Sequence, residues 1–219
     1  MSQFWIEFTT LALAHGLAVA SPGPDFAIVT QHSLRAGRKT AAMTSLGIGT
    51  GILVHVAYAL LGVGMLMQRT PLLFESLKIV GALYLLYLAA LGLSARPNMP
   101  DPRTSETPAK PDVIPGITAF RQGFLTNVLN PKATLFFVSL FAVVVSPESP
   151  RWALILYGLW MSLATTLWFT GVGYLFGHPT LRRALLRHTH WIDRGMGAVL
   201  GGLGLYILLY EQTLFSIAS

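Results

Sequence analysis

Two stretches of the chain, residues 40–68 and 152–181, contain no Asp, Glu, Lys or Arg. A bilayer's hydrocarbon core is about 30 Å thick, and a helix needs roughly 20 apolar residues to cross it. Runs of this length therefore leave two options: helices that satisfy their own backbone groups in lipid, or unusually long core helices of a soluble protein. Composition decides between them. Only 11% of the residues are charged, against about 25% in an ordinary soluble domain. The chain reads as an integral, polytopic, all-α membrane protein. It has no cysteine, which excludes a disulfide framework and cysteine-based metal or redox chemistry. A formal charge of +6 would suit nucleic acid, but the basic residues flank the apolar runs, where they set topology, so no nucleic-acid partner is expected. Ala18-Val19-Ala20 has the form of a signal-peptidase site, yet the residues before it lack Lys and Arg and include Glu7. They are read as the start of the first span and not as a cleaved leader.

Six spans are expected, at 4–34, 40–66, 72–93, 116–145, 152–176 and 195–214. Residues 94–115 carry six prolines and mixed charges, the composition of an exposed, extended linker. It separates a first three-span half, 1–93, from a second, 116–219. Eleven basic residues fall on one side of this arrangement: Arg35, Arg38, Lys39, Arg96, Arg103, Lys110, Arg121, Arg182, Arg183, Arg187 and Arg194. Three fall on the other, Arg69, Lys78 and Arg151. Excess Lys and Arg marks the cytoplasmic side, which puts the linker inside and both termini outside. Three spans per half give the halves opposite orientations, so related halves would form a 3+3 inverted-topology repeat of the kind many secondary transporters use. An offset of 107 places Gly16, Pro24 and Gly51 on Gly123, Pro131 and Gly158.

The first and fourth spans are each roughly 30 residues, about 45 Å as straight helix, which is too long for an upright crossing. Both are expected to break at a proline motif. In the first, Pro22, Gly23 and Pro24 interrupt the apolar run and Asp25 follows; in the fourth, Asn127, Asn130 and Pro131 do so and Lys132 follows. Proline removes a donor and clashes with the preceding turn, while Gly23 would relax the local dihedral limits. Interrupted segments at corresponding positions of two halves point to a transporter site. Freed N–H groups at the start of a half-helix can receive a carboxylate. Freed carbonyls and the Asn side chains can receive an ammonium. Pro22, Gly23, Pro24, Asp25, Asn127, Asn130, Pro131 and Lys132 are thus the candidate substrate-binding and coupling residues. Asp25 and Lys132 each follow the matching proline, and a mutual ion pair would offset part of the cost of charge in the membrane. Asp25 could also cap the second half-helix of its span.

His15 and His55 lie within spans and, with Asp25, are candidates for proton carriage; they form no metal-ligand spacing, and no metal or cofactor is expected. The small-residue pairs Gly47/Gly51 and Gly197/Gly201 suit close helix packing, within one chain or between two copies, so a homodimer is one reading. Trp5, Trp152, Trp191 and Tyr210 lie near span ends, where aromatic belts form. His188, His190 and the neighbouring arginines could meet anionic lipid headgroups.

The segments SPGPDFAIVTQ in the first span and LTNVLNPKATLFFVS in the fourth resemble the paired signatures of the LysE/RhtB amino acid exporters. The likeness extends through RAGRKTAAMTSLGIGTG, Arg151-Trp152 and HWIDRGMGAVLGGLGLY. Within that family the chain is most similar to the threonine exporter group. The resemblance implies export of small amino acids or analogues, driven by the proton-motive force, in a bacterial inner membrane. It carries over the eight motif residues named above. Some relatives have Asn at the position of Asp25, which implies a substrate ligand or pair member more than a relay. The expectation is a proton-coupled exporter with alternating access, one half rocking against the other. A membrane enzyme would need a nucleophile with its base or a carboxylate pair, which Asp25 and Glu7 do not persuasively make; a small-solute or ion channel is the other alternative.

Overall fold

The computed structural model describes residues 2–96, 113–146, 148–176 and 179–218. Most of the linker and the placement of Arg103 and Lys110 lie outside them, as do the side chains of Arg69, Arg182, Arg183, Arg187 and Tyr210. Eight helices occupy the described residues: α1 Ser2–Ala20, α2 Pro24–Ala36, α3 Arg38–Arg69, α4 Pro71–Leu93, α5 Gly116–Val128, α6 Pro131–Val144, α7 Arg151–Phe176 and α8 Pro179–Ala218. Four stretches are long and apolar enough to cross a membrane, Arg38–Gly62, Leu72–Leu93, Arg151–Phe176 and His190–Leu209. Two pairs pass the same test only together, α1 with α2 and α5 with α6, and they are bent by 53° and 58°. Large apolar side chains such as Leu61, Leu72, Val80, Leu163 and Leu167 stay exposed on the outside, more apolar surface than a soluble monomer presents. The protein is a multi-pass membrane protein.

Prolines decide where the short helices begin. Pro24 and Pro131 each occupy the first turn of a helix, where the missing N–H would have had no intrahelical acceptor anyway. The N-cap of α2 is Gly23, with no side-chain cap, so the expectation that Asp25 caps this helix is corrected: it sits in the first turn, where its charge favours the helix dipole. Gly23 is extended, at φ −165°, and a Cβ there would meet nothing within 4 Å. The bend therefore does not need glycine at this position. Asn130, by contrast, caps α6, its side chain accepting a hydrogen bond from the Lys132 backbone N–H at 3.0 Å. α8 departs from the expected span at 195–214. It is one continuous 40-residue helix, about 60 Å long at 1.5 Å per residue, and its apolar stretch begins at His190. The basic segment read as a connection is helical because Leu, Ala and Arg are good helix formers and nothing between 180 and 194 breaks a helix.

Glycine sets the closest approaches. A Cβ at Gly47 would fall on the Phe120 carbonyl, and one at Gly123 on the Thr44 carbonyl, so α3 and α5 meet backbone to backbone. Gly92, Gly197 and Gly204 do the same for α4 and α8. The glycine faces thus pack within the chain. Leu11, Phe137, Leu140, Phe141, Tyr157 and Leu200 fill the main core between these elements, while a second cluster around Val29, Ile48 and Phe169 joins α2, α3 and α7. Glu7 is buried but satisfied. It accepts from the Ser149 hydroxyl at 2.7 Å, the Tyr157 hydroxyl at 3.1 Å and the Ser146 N–H at 3.2 Å, tying α1 to the α6–α7 connection. Trp5 and Trp152 project from that same end, both against Phe4, as an interfacial belt would.

The α3–α5 contact supplies a matched test. Gly47→Ala should lower stability by about 1–3 kcal/mol, the usual cost of overpacking, read as an earlier thermal transition in detergent. Gly62→Ala, in the same helix with open space around it, should leave that transition unchanged or raise it.

Candidate functional site

The two bends meet around one cavity of about 70 Å³, to which all eight helices or their breaks contribute residues. Gly23, Pro24, Asp25, Asn127, Asn130 and Lys132 border it, together with His15. Pro22 and Pro131 do not line it; they shape the backbone on either side. The side chain of Asn127, 1% exposed, donates through Nδ2 to Asp25 Oδ2 at 2.8 Å. This bond joins the first bent pair to the second. Among the described residues no ion pair joins Asp25 to Lys132; acid and amine border the same cavity without touching. The remaining oxygens, Asp25 Oδ1 and Asn127 Oδ1, are buried and have no hydrogen-bond partner. An unsatisfied buried acceptor costs about 1–3 kcal/mol, so the site is short of a donor at these two oxygens.

Each charge owes its place to local sequence. Asp25 stands in the first turn of α2 and Lys132 in the first turn of α6. Because Pro131 has no N–H, the carbonyl four residues back, that of Asn127, loses its helical partner. Two donors replace it. Asn130 N–H reaches it at 2.9 Å and His55 Nε2 at 3.0 Å. His55 is fully buried and stacks on Phe137, centroids 5.4 Å apart and 6° from parallel. A carbonyl only accepts, so Nε2 carries the hydrogen and Nδ1 accepts from the Tyr58 hydroxyl. His55 therefore lies outside the cavity lining and holds the end of α5 in place. Gly51 has a related part: a Cβ there would come within 2.6 Å of Asn127 Oδ1, so only glycine leaves that amide its position.

Several lining residues carry no signal in the sequence. Ser21 donates to Asp193 of α8 at 2.7 Å, anchoring the first break to the last helix. Thr165 of α7 faces the cavity and meets His15 Nε2 at 2.9 Å. Ile52, Leu88, Phe136 and Met196 supply the apolar wall. The spans that hold Ile52, Leu88 and Met196 have no interior proline to mark where these residues sit, so their place follows from packing alone. Among the described residues no group of His, Asp and Glu could hold a metal ion.

The LysE type translocator family matches residues 17–211 of the chain. The threonine efflux protein of Salmonella typhi is 34% identical over 205 residues, covering 92% of this chain and 97% of the relative. That of Escherichia coli K12 is 33% identical over the same shares. The leucine efflux protein of Salmonella choleraesuis is 35% identical over 172 residues, 78% of this chain and 76% of the relative. No solved structure matches the chain.

Replacing His55 by Phe keeps the ring stack but removes the donor to the Asn127 carbonyl. A loss of about 1 kcal/mol is expected, measured as a lower thermal midpoint of the purified protein, with Tyr58→Phe causing a smaller one.

Proposed function

The chain belongs to the LysE type translocator family, and on that premise we propose that it is a secondary active exporter of small amino acids of the bacterial inner membrane. Family membership makes it a transporter and not an enzyme. The observation that carries the substrate class is the pair of opposite charges bordering one cavity without contact, with unpartnered oxygens on the acidic wall. An amino acid zwitterion answers both needs. Its ammonium would donate to Asp25 Oδ1 and Asn127 Oδ1; its carboxylate would face Lys132 and the first N–H groups of the half-helices, where the dipole favours an anion.

In this reading each bent pair is one span, which gives six, with both termini outside and the linker inside. The halves form an inverted repeat that exposes the site alternately to the two sides. Two observations support it. α3 packs extensively on α7 and α4 on α8, and these are the helices a two-fold axis in the membrane plane would pair. Asp25 and Lys132 also occupy the same place in their respective half-helices. Coupling follows from competition at one carboxylate: Asp25 binds either the substrate ammonium or a proton, so release of one accompanies arrival of the other. Exchange against protons then drives efflux uphill.

The test is transport in inverted and right-side-out vesicles against a panel of amino acids, with and without a pH gradient. Uptake into inverted vesicles that collapses when the gradient is dissipated is expected. Indifference to the gradient would remove the coupling, and failure to move any amino acid would remove the function. Asp25→Ala and Lys132→Ala should each bring transport to background with normal membrane insertion. Gly51→Ala, which displaces Asn127 from Asp25, should lower it about tenfold or more, as misplacement of a positioning group does.

A further inference from the structure

One polar atom of the cavity has no task in that scheme. His15 is 1% exposed, lies on α1 six residues before the break, and borders the cavity. Its Nε2 meets the Met161 carbonyl at 3.2 Å and the Thr165 hydroxyl at 2.9 Å. Since the carbonyl can only accept, Nε2 bears the hydrogen, and in the neutral ring Nδ1 is left as an acceptor. That Nδ1 is buried and has no partner. The ring itself is fixed: Phe137 lies 5.7 Å and Trp160 6.3 Å from it, centroid to centroid. A lone pair is thus held rigidly at a place where the protein provides no donor.

We propose that His15 reads the substrate's side chain, accepting at Nδ1 a hydrogen bond from a hydroxyl close to the α-carbon. This rests on the reading of the cavity as an amino acid site. The two charged groups of a zwitterion are taken by Asp25, Asn127 and Lys132, so the donor His15 lacks must come from the third substituent. His15 borders the same small cavity, about 70 Å³, as Asp25 and Asn127, which fits a short hydroxylated side chain and not a long one. No donor of the protein reaches His15 Nδ1. Thr165 is the positioning residue, since its hydroxyl holds the ring by the opposite nitrogen.

Threonine and valine test this, being nearly isosteric and differing by hydroxyl for methyl. A site built around a hydrogen bond to a substrate hydroxyl rejects the analogue lacking it far more strongly than an apolar pocket does. Efflux of the two is measured from the same vesicles for the full chain, His15→Gln and His15→Asn. The glutamine amide reaches the position of Nε2 and keeps the link to α7; the asparagine amide oxygen reaches the position of Nδ1. The wild-type protein should favour threonine about tenfold or more, His15→Gln should bring the ratio near one at unchanged protein level, and His15→Asn should retain part of the preference. Heat stabilisation of the purified protein by threonine over valine should follow the same order, as binding to the native state requires. A wild-type protein that exports both equally, or a His15→Gln variant whose two rates fall together at constant ratio, overturns the proposal while leaving the exporter standing. Export of neither amino acid, nor of any other in the panel, overturns both.

Discussion

Hydrocarbon supplies no hydrogen bonds, so every backbone group freed inside the membrane must find a partner in the protein. That requirement governs the centre of this molecule. Breaking α5 from α6 at Pro131 strips the Asn127 carbonyl of its helical donor, and His55 and the Asn130 N–H take over. The same rupture brings the Asn127 side chain to Asp25. Both sets of bonds meet at one residue: the Asn127 carbonyl takes the repairing donors while its side chain donates to the acid. The cavity holds these polar groups inside a largely apolar wall to which all eight helices or their breaks contribute.

The enclosure depends in turn on how closely backbones approach. Leucine-rich surfaces cannot distinguish helix partners from lipid, which is as apolar as they are. Gly47 against the Phe120 carbonyl and Gly123 against the Thr44 carbonyl give α3 and α5 a contact that lipid cannot imitate. Gly51 continues the same face one turn on and receives the Asn127 side chain, so a packing stripe ends in the cavity wall. A run of glycines that looks uniform in sequence thus changes purpose along its length.

Much of this was legible beforehand, for physical reasons. Charge-free runs have only one solvent they tolerate, which settled membrane class and most span positions. Prolines act locally, so Pro24 and Pro131 could be located as places where a helix must start or stop. Reasoning from charge was less secure. Asp25 and Lys132 occupy matching places and invited pairing, yet Asp25 turns to Asn127, because matching positions in two helices do not put side chains within reach. The basic stretch before Trp191 is expected as a connection on topological grounds, yet it is rich in Leu, Ala and Arg, holds no helix breaker, and lies within α8. The roles of His15, Thr165 and Ser21 depend on the depth and rotation of neighbouring spans, which a single apolar sequence leaves undetermined.

The backbone contacts of α3 with α5 and of α4 with α8 have a mechanical consequence. Each joins a helix from before the proline-rich linker to one from after it. The covalent halves are laced together, and swinging residues 1–93 as one block against 116–219 would unzip the tightest joints in the molecule. Interleaved fingers do not part at the wrist. α1 rests chiefly on α8 and α2 chiefly on α3, so both parts of the first bent pair are seated on these welded joints.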